Sequence, residues 1–173
     1  MLEHTDEHVI AQQLGRSPRG AVSVAARCPA GHPSVITCYP LVSRGKRVIP
    51  FPTLYWLICP TLCRQVACLE RDGAIARIGV ELGQDPSLQS GLRRNHEQYI
   101  ASRWAALSTD DQTLVSNCRL GDEFQRRGIG GMTNFIAIKC LHLHLAHHLV
   151  AGNVIGELMI NRYGLQPCGS EVA

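Results

Sequence analysis

The chain is organised around the stretch IKCLHLHLAHH at residues 138–148. Neither Gly nor Pro interrupts it, which predicts an α-helix in which residues three or four positions apart share a face. On such a helix Cys140, His144 and one residue of the pair 147–148 lie on one side, and the first histidine of the stretch points elsewhere. The stretch contains four of the eight histidines of the chain. It therefore predicts a reactive or metal-binding helix to which other cysteines are brought.

The length and composition predict one globular domain. A chain of 173 residues with 45% apolar residues suits a single domain over residues 1–173 with a hydrophobic core. Residues 1–14 are expected to form an N-terminal helix or arm, and residues 164–173 a loose C-terminal tail. The net charge of +3 is mild and does not favour nucleic acid as the partner.

The cysteine content bears on the compartment and the chemistry. The first ten residues are polar rather than signal-like, and no apolar run approaches the length of about 20 residues that spans a membrane. We therefore expect a cytoplasmic protein, in which clustered thiols bind metal or react more often than they form disulfides. Of the eight cysteines, Cys38, Cys68 and Cys118 are interpreted as small core residues.

Hydrophobic patterning predicts an α+β fold. Residues 21–27, 34–39 and 53–58 are rich in β-formers and bounded by turn residues, which indicates a small antiparallel three-stranded sheet near the N-terminal half. Beyond Pro60 the apolar spacing becomes helical, so a mainly helical C-terminal half is expected to pack against this sheet. A long helix opens at Asp85-Pro86, and its polar residues Arg93, Arg94, His96 and Arg103 are interpreted as a solvated face.

Three cysteines are the main candidates for a metal site. Cys28-Pro29 and Cys59-Pro60 each follow a predicted strand, and Cys140 opens the histidine-rich stretch. Three converging thiolates could hold three irons of a [4Fe–4S] cluster and leave one iron open to substrate. With His144 or His147 as a fourth ligand, the same set could hold zinc. Buried core thiols and metal-free thiol chemistry are the alternatives.

Supporting roles are predicted for residues around this set. His147, His142 and Lys139 are candidates for moving protons or holding the substrate. The loop LGRSPRG at residues 14–20 carries Arg16 and Arg19, whose guanidinium groups are suited to a phosphate or carboxylate.

Several motifs together resemble a known family. They occur in the order LGRSPRG (14–20), RCPAGHP (27–33), FPTLYWLICP (51–60), LERDG (69–73), HEQYIASR (96–103), GGM (130–132) and KCLHLHLAH (139–147). This combination resembles the bacterial domain-of-unknown-function family numbered five hundred and one, over about residues 13–157. The family carries no known reaction. Its members are often encoded in actinobacteria near a septum-formation initiator protein and an exopolyphosphatase, which implies a loose link to division or phosphate metabolism.

The resemblance sharpens the choice of site residues. It implies that Cys28, Cys59 and Cys140 belong to the family motifs, together with His142 and His147. His144 departs from the pattern of many members, and many members carry a cysteine where this chain has Ala30.

Two functions follow as expectations. The first is a cytoplasmic metal-dependent enzyme, with iron–sulfur preferred to zinc, that acts on an anionic small molecule or nucleotide. The alternative is a non-catalytic binding or adaptor protein linked to cell division, with structural zinc or buried cysteines.

Overall fold

A computed structural model of the protein describes residues 4–18, 20–44, 47–118 and 120–169. The strands are β1 (Ala21–Arg27), β2 (Pro33–Cys38), β3 (Leu41–Arg44), β4 (Arg47–Pro50) and β5 (Tyr55–Leu57). The helices are α1 (His4–Leu14), α2 (Pro60–Arg71), α3 (Ala74–Gln84), α4 (Pro86–Ala105), α5 (Thr109–Asn117), α6 (Gly121–Arg126), α7 (Leu141–Ala151) and α8 (Val154–Tyr163), with a short 3₁₀ turn at Ile129–Gly131 before α7.

The central sheet is antiparallel with the strand order β1-β2-β5, and the C-terminal half is helical, so the predicted α+β fold is confirmed. In the register of the sheet, Val35 of β2 lies between Ala26 and Leu57. The strands β3 and β4 form a separate two-stranded hairpin. These two strands were not predicted from the sequence, because each is only four residues long and so short a stretch carries little alternation.

Helix α7 packs across β5, and its apolar residues join the main core. The helix begins at Leu141 rather than at residue 138, and Cys140 precedes it with extended backbone angles of φ −155° and ψ 122°. The prediction that Cys140 shares a helical face with His144 was therefore wrong. At this extended residue the side chain does not follow the periodicity of the helix, and the Cys140 sulfur lies 3.8 Å from Nδ1 of His142.

Helix α4 buries two polar residues that the sequence assigned to a solvated face. Asp85 caps this helix by accepting hydrogen bonds from the backbone N–H groups of residues 87 and 88. Arg103 is 3% exposed because its Nη2 donates hydrogen bonds to the carbonyl oxygens of Glu123, Phe124 and Arg127. His96 is fully buried. The three hydrogen bonds from Nη2 thus offset part of the cost of burying a charge that helical periodicity predicts to be exposed.

The described part of the predicted loose tail is attached to the body of the protein. Leu165 is 6% exposed within the main core. Gln65 of α2 forms two hydrogen bonds with the backbone of Gln166, at 2.9 and 3.1 Å. Residues 164–169 therefore follow α2 instead of hanging free, and residues 170–173 lie outside the described part.

The two hydrogen bonds of the Tyr99 hydroxyl should contribute measurably to the free energy of unfolding. The hydroxyl accepts a hydrogen bond from Leu54 N at 2.6 Å and donates one to Pro52 O at 2.9 Å, and the side chain is 1% exposed. Tyr99→Phe removes both bonds and should lower the free energy of unfolding by about 1–3 kcal/mol, measured by urea denaturation. Tyr55→Phe, a nearby ring packed edge-on against Tyr99, is the control. Equal losses in both variants would contradict this role of the hydroxyl.

Candidate functional site

The first candidate site lies where the end of α2 meets the start of α7. The Sγ of Cys140 is 3.8 Å from Nδ1 of His142, and the same nitrogen is 3.3 Å from Oε2 of Glu70. The ligand atoms of these three residues all lie within 4.8 Å of one another. The other oxygen of Glu70 accepts a hydrogen bond from Leu141 N at 2.6 Å. A carboxylate thus satisfies a backbone N–H that the first turn of α7 leaves without a helical partner.

The orientation of the His142 ring follows from its second nitrogen. Nε2 lies 3.2 Å from the carbonyl oxygen of Cys63. A carbonyl only accepts hydrogen bonds, so Nε2 carries the hydrogen and Nδ1 faces Cys140 and Glu70. The hydrogen bond with Cys140, reinforced by the charge of Glu70, raises the pKa of His142 to about 9. The prediction that His142 points away from Cys140 is therefore wrong.

This group opens onto an apolar pocket of about 370 Å³. The pocket is bounded by β5, the segment before it, the first turn of α2 and the start of α7. Its lining residues are Phe51, Thr53, Trp56, Leu57, Cys63, Cys140, His142 and Leu143. Burial raises the pKa of the Cys63 thiol to about 11, so this sulfur stays protonated at neutral pH. The pocket therefore offers a small apolar chamber with one polar corner.

A second group of thiols lies at the edge of the sheet. The Sγ of Cys168 is 3.1 Å from that of Cys28 and 3.7 Å from that of Cys59. A ring nitrogen of His32 joins Cys28 and Cys168, with all three ligand atoms within 4.8 Å of one another. Burial opposes the ionisation of Cys28, but hydrogen bonds from Cys168 and the surrounding turn outweigh it and lower its pKa. Burial raises the pKa of Cys168 to about 12.

Two of the predicted thiols are therefore brought together and the third is not placed with them. Cys28 and Cys59 meet through Cys168, whereas Cys140 belongs to the group with Glu70 and His142. Glu70 and Cys168 are not among the site residues predicted from the sequence. Glu70 lies in one of the motifs that carried the family resemblance, so a signal for it was present. Cys168 stands alone in a stretch without periodicity, and nothing local distinguishes it from a surface thiol.

The other predicted histidines lie in the core, apart from both groups. His144 is 1% exposed and His147 is fully buried. Asn153 uses its side-chain oxygen to accept from the backbone of residues 155 and 156, so its amide group faces Nδ1 of His147 at 3.2 Å. Burial lowers the pKa of His144 to about 3 and that of His147 to about 4. Both rings are thus neutral at pH 7.

Two of the predicted basic residues, Arg16 and Lys139, are exposed. The Arg16 guanidinium lies 5.0 Å from the ring centre of Trp56, which lines the pocket. Arg19 lies outside the described residues. Lys139 is exposed and its Nζ is 3.4 Å from the carbonyl oxygen of Gly130. Of these three, only Arg16 has a described contact with a pocket residue.

The sequence matches the family described as a protein of unknown function (DUF501) over residues 24–161. The chain belongs to this family, and the resemblance inferred from the motifs is confirmed. The match includes Cys28, Cys59, Glu70, Cys140 and His142 and ends before Cys168. Neither the curated proteins nor the solved structures contain a significant match. No helix in the described ranges is long and apolar enough to cross a membrane.

Because several buried histidines are neutral, we expect the folded protein to lose stability in acid. Burial lowers the pKa of His96 to about 4, while its Nδ1 accepts a hydrogen bond from Ile129 N at 3.0 Å. In the unfolded chain the His96 ring binds a proton below its ordinary pKa of about 6.5, whereas in the folded chain it stays neutral down to about pH 4. The free energy of unfolding therefore falls as the pH drops from about 6.5 to about 4. Each such ring contributes at most about 1.4 kcal/mol per pH unit.

His96→Asn keeps an acceptor near Ile129 N but does not titrate. We expect the pH slope of its free energy of unfolding to be smaller than that of the wild type by up to about 1.4 kcal/mol per pH unit. Urea denaturation at about pH 7, 6 and 5 measures this slope. His4→Asn, at an exposed position, should leave it unchanged. An unaltered slope in His96→Asn would show that this ring does not carry the effect.

Proposed function

We propose that this protein is a metal-dependent enzyme, with zinc as the preferred metal, whose centre is formed by Glu70, Cys140 and His142. The observation that carries the proposal is the convergence of a carboxylate, a thiol and an imidazole at the polar corner of the pocket. This retains Cys140 as a metal ligand and replaces His144 by His142.

The hydrogen-bond pattern of His142 supports a cation at this point. In the neutral ring Nδ1 carries a lone pair, because Nε2 keeps its hydrogen against the carbonyl of Cys63. Two groups, the Cys140 sulfur and the Glu70 carboxylate, approach that one nitrogen. A metal ion at this point would bind the Nδ1 lone pair, the carboxylate and, after loss of the thiol proton, the sulfur. A Cys–His–Glu catalytic triad would instead use both nitrogens, one for each partner.

The distances are consistent with zinc. Tetrahedral zinc with ordinary bond lengths separates sulfur and nitrogen ligands by about 3.6 Å and nitrogen and oxygen ligands by about 3.4 Å. The corresponding distances are 3.8 Å and 3.3 Å. The Nε2 contact with the Cys63 carbonyl is the kind of outer hydrogen bond that orients metal-binding histidines.

The pocket supports a catalytic use of the metal. Three protein ligands leave one coordination position, which is the arrangement of catalytic rather than structural zinc. A metal here would polarise a carbonyl or phosphoryl oxygen or activate water. The apolar walls favour a substrate with an apolar body, and Arg16 beside Trp56 supplies a positive charge for an anionic group.

Metal analysis tests this assignment. Cys140→Ser and Glu70→Gln should each lose about one metal equivalent per chain relative to the wild type, measured by elemental analysis after purification without chelators. Glu70→Gln keeps an oxygen that can accept from Leu141 N, so its loss would not reflect uncapping of α7. Cys118→Ser, at an exposed position after α5, is the matched control. Full metal content in Cys140→Ser would refute the proposed centre.

Cobalt substitution separates the enzyme from the alternative of a non-catalytic binding protein. An open coordination position takes up small ligands, so azide or imidazole should shift the visible spectrum of the Co²⁺-substituted protein. The shift should vanish in Cys140→Ser. A spectrum that does not respond in the metal-loaded wild type would favour the binding or adaptor role over catalysis.

A further inference from the structure

The strand directions bring Cys28 and Cys59 to the same edge of the sheet. The strands β1 and β5 are both antiparallel to β2, so they run in the same direction and end beside the start of β2. Cys28 follows the end of β1, and Cys59 donates its backbone N–H to the carbonyl of Ser34, the second residue of β2. Both sulfurs are buried, with Cys28 5% and Cys59 0% exposed.

The third sulfur arrives from the other end of the chain. After α8 the backbone turns at Gly164, whose φ of +61° lies in the left-handed region, and then runs along α2. The two hydrogen bonds between Gln65 and Gln166 hold this segment in place. Cys168 is thereby set between Cys28 and Cys59, at 3.1 and 3.7 Å from their sulfurs.

His32 completes the set from the turn after β1. Cys28 donates its backbone N–H to the carbonyl of His32 at 2.9 Å, so the two residues close a tight turn. Gly31 supports this turn with a φ of +81°. A ring nitrogen of His32 consequently lies within 4.8 Å of the sulfurs of Cys28 and Cys168.

We infer that Cys28, His32, Cys59 and Cys168 form a second metal centre, a closed structural zinc site that fastens the C-terminal segment to the edge of the sheet. Four protein ligands of nitrogen and sulfur are typical of structural zinc. Tetrahedral zinc separates two thiolates by about 3.8 Å, which the distance between Cys59 and Cys168 matches at 3.7 Å. On binding, Cys28 and Cys168 would move apart by several tenths of an ångström. The Cys59 sulfur lies outside the group of ligand atoms within 4.8 Å of one another, so it would also move towards Cys28 and His32.

The centre is independent of the proposed enzyme site. It uses none of the residues that line the pocket, and its role is mechanical. Each zinc–thiolate bond replaces the hydrogen of a thiol, so binding releases protons, and no oxidant or reductant is required. A disulfide between Cys168 and one neighbour, or an iron–sulfur cluster on the three thiols, are the competing occupants and form outcomes of the test.

The test combines metal content with protection of the C-terminal segment. Wild type should contain about two zinc equivalents per chain, and Cys168→Ser about one. In Cys168→Ser the amides of residues 164–169 should exchange hydrogen at least about tenfold faster, because the segment loses its anchor. Cys140→Ser should lose the other equivalent and keep those amides protected. Cys118→Ser should retain both equivalents.

Several results would overturn the second centre. These are full zinc content in Cys168→Ser, a wild-type mass lower by two hydrogens with a linked peptide containing Cys168, and iron with sulfide in place of zinc. If Cys168→Ser does not fold, a chelator can be added to the wild type instead. Removal of the metal should then speed hydrogen exchange at residues 164–169, and unchanged exchange would overturn the second centre. Loss of zinc in Cys168→Ser but not in Cys140→Ser would refute the enzyme site and leave this centre intact.

Discussion

The antiparallel pairing of β1 and β5 with the two sides of β2 determines where the chemistry of this protein lies. Both outer strands end at one edge, and this brings Cys28 and Cys59 together. The chain then enters α2 at Pro60, a residue suited to the first turn of a helix. In the last turn of this twelve-residue helix, Glu70 reaches the start of α7. Both candidate sites therefore border α2: Cys59 precedes its first residue, and Glu70 lies in its last turn.

Glu70 links the stability of α7 to the candidate enzyme site. Helix α7 has no side-chain cap of its own at Cys140, and one oxygen of Glu70 takes that place at Leu141 N. The other oxygen faces His142. A single carboxylate thereby orients both groups that open the helix. A site built this way has its geometry set by the packing of α2 against α7, which places its ligands on rigid elements.

The histidines of α7 have separate roles despite their proximity in sequence. His142 borders the pocket, whereas His144 and His147 lie in the core. Burial keeps the latter two rings neutral, and Asn153 orients His147 while capping α8. His148 accepts a hydrogen bond from Asn153 N at 3.2 Å. The concentration of histidines therefore reflects core packing and helix connection as well as chemistry.

Local patterns in the sequence determined the three sheet strands, most helices and the family, because alternation, helical spacing and turn residues are properties of neighbouring positions. They also selected Cys28, Cys59, Cys140 and His142 as candidates. Only the tertiary structure decided the grouping of these residues. Cys168 reaches Cys28 across 140 positions and Cys59 across 109, and Glu70 reaches Leu141 across 71, so no local period connects them. The burial of His144 and His147 likewise depends on the sheet and helix packed against α7, which a helical pattern does not specify.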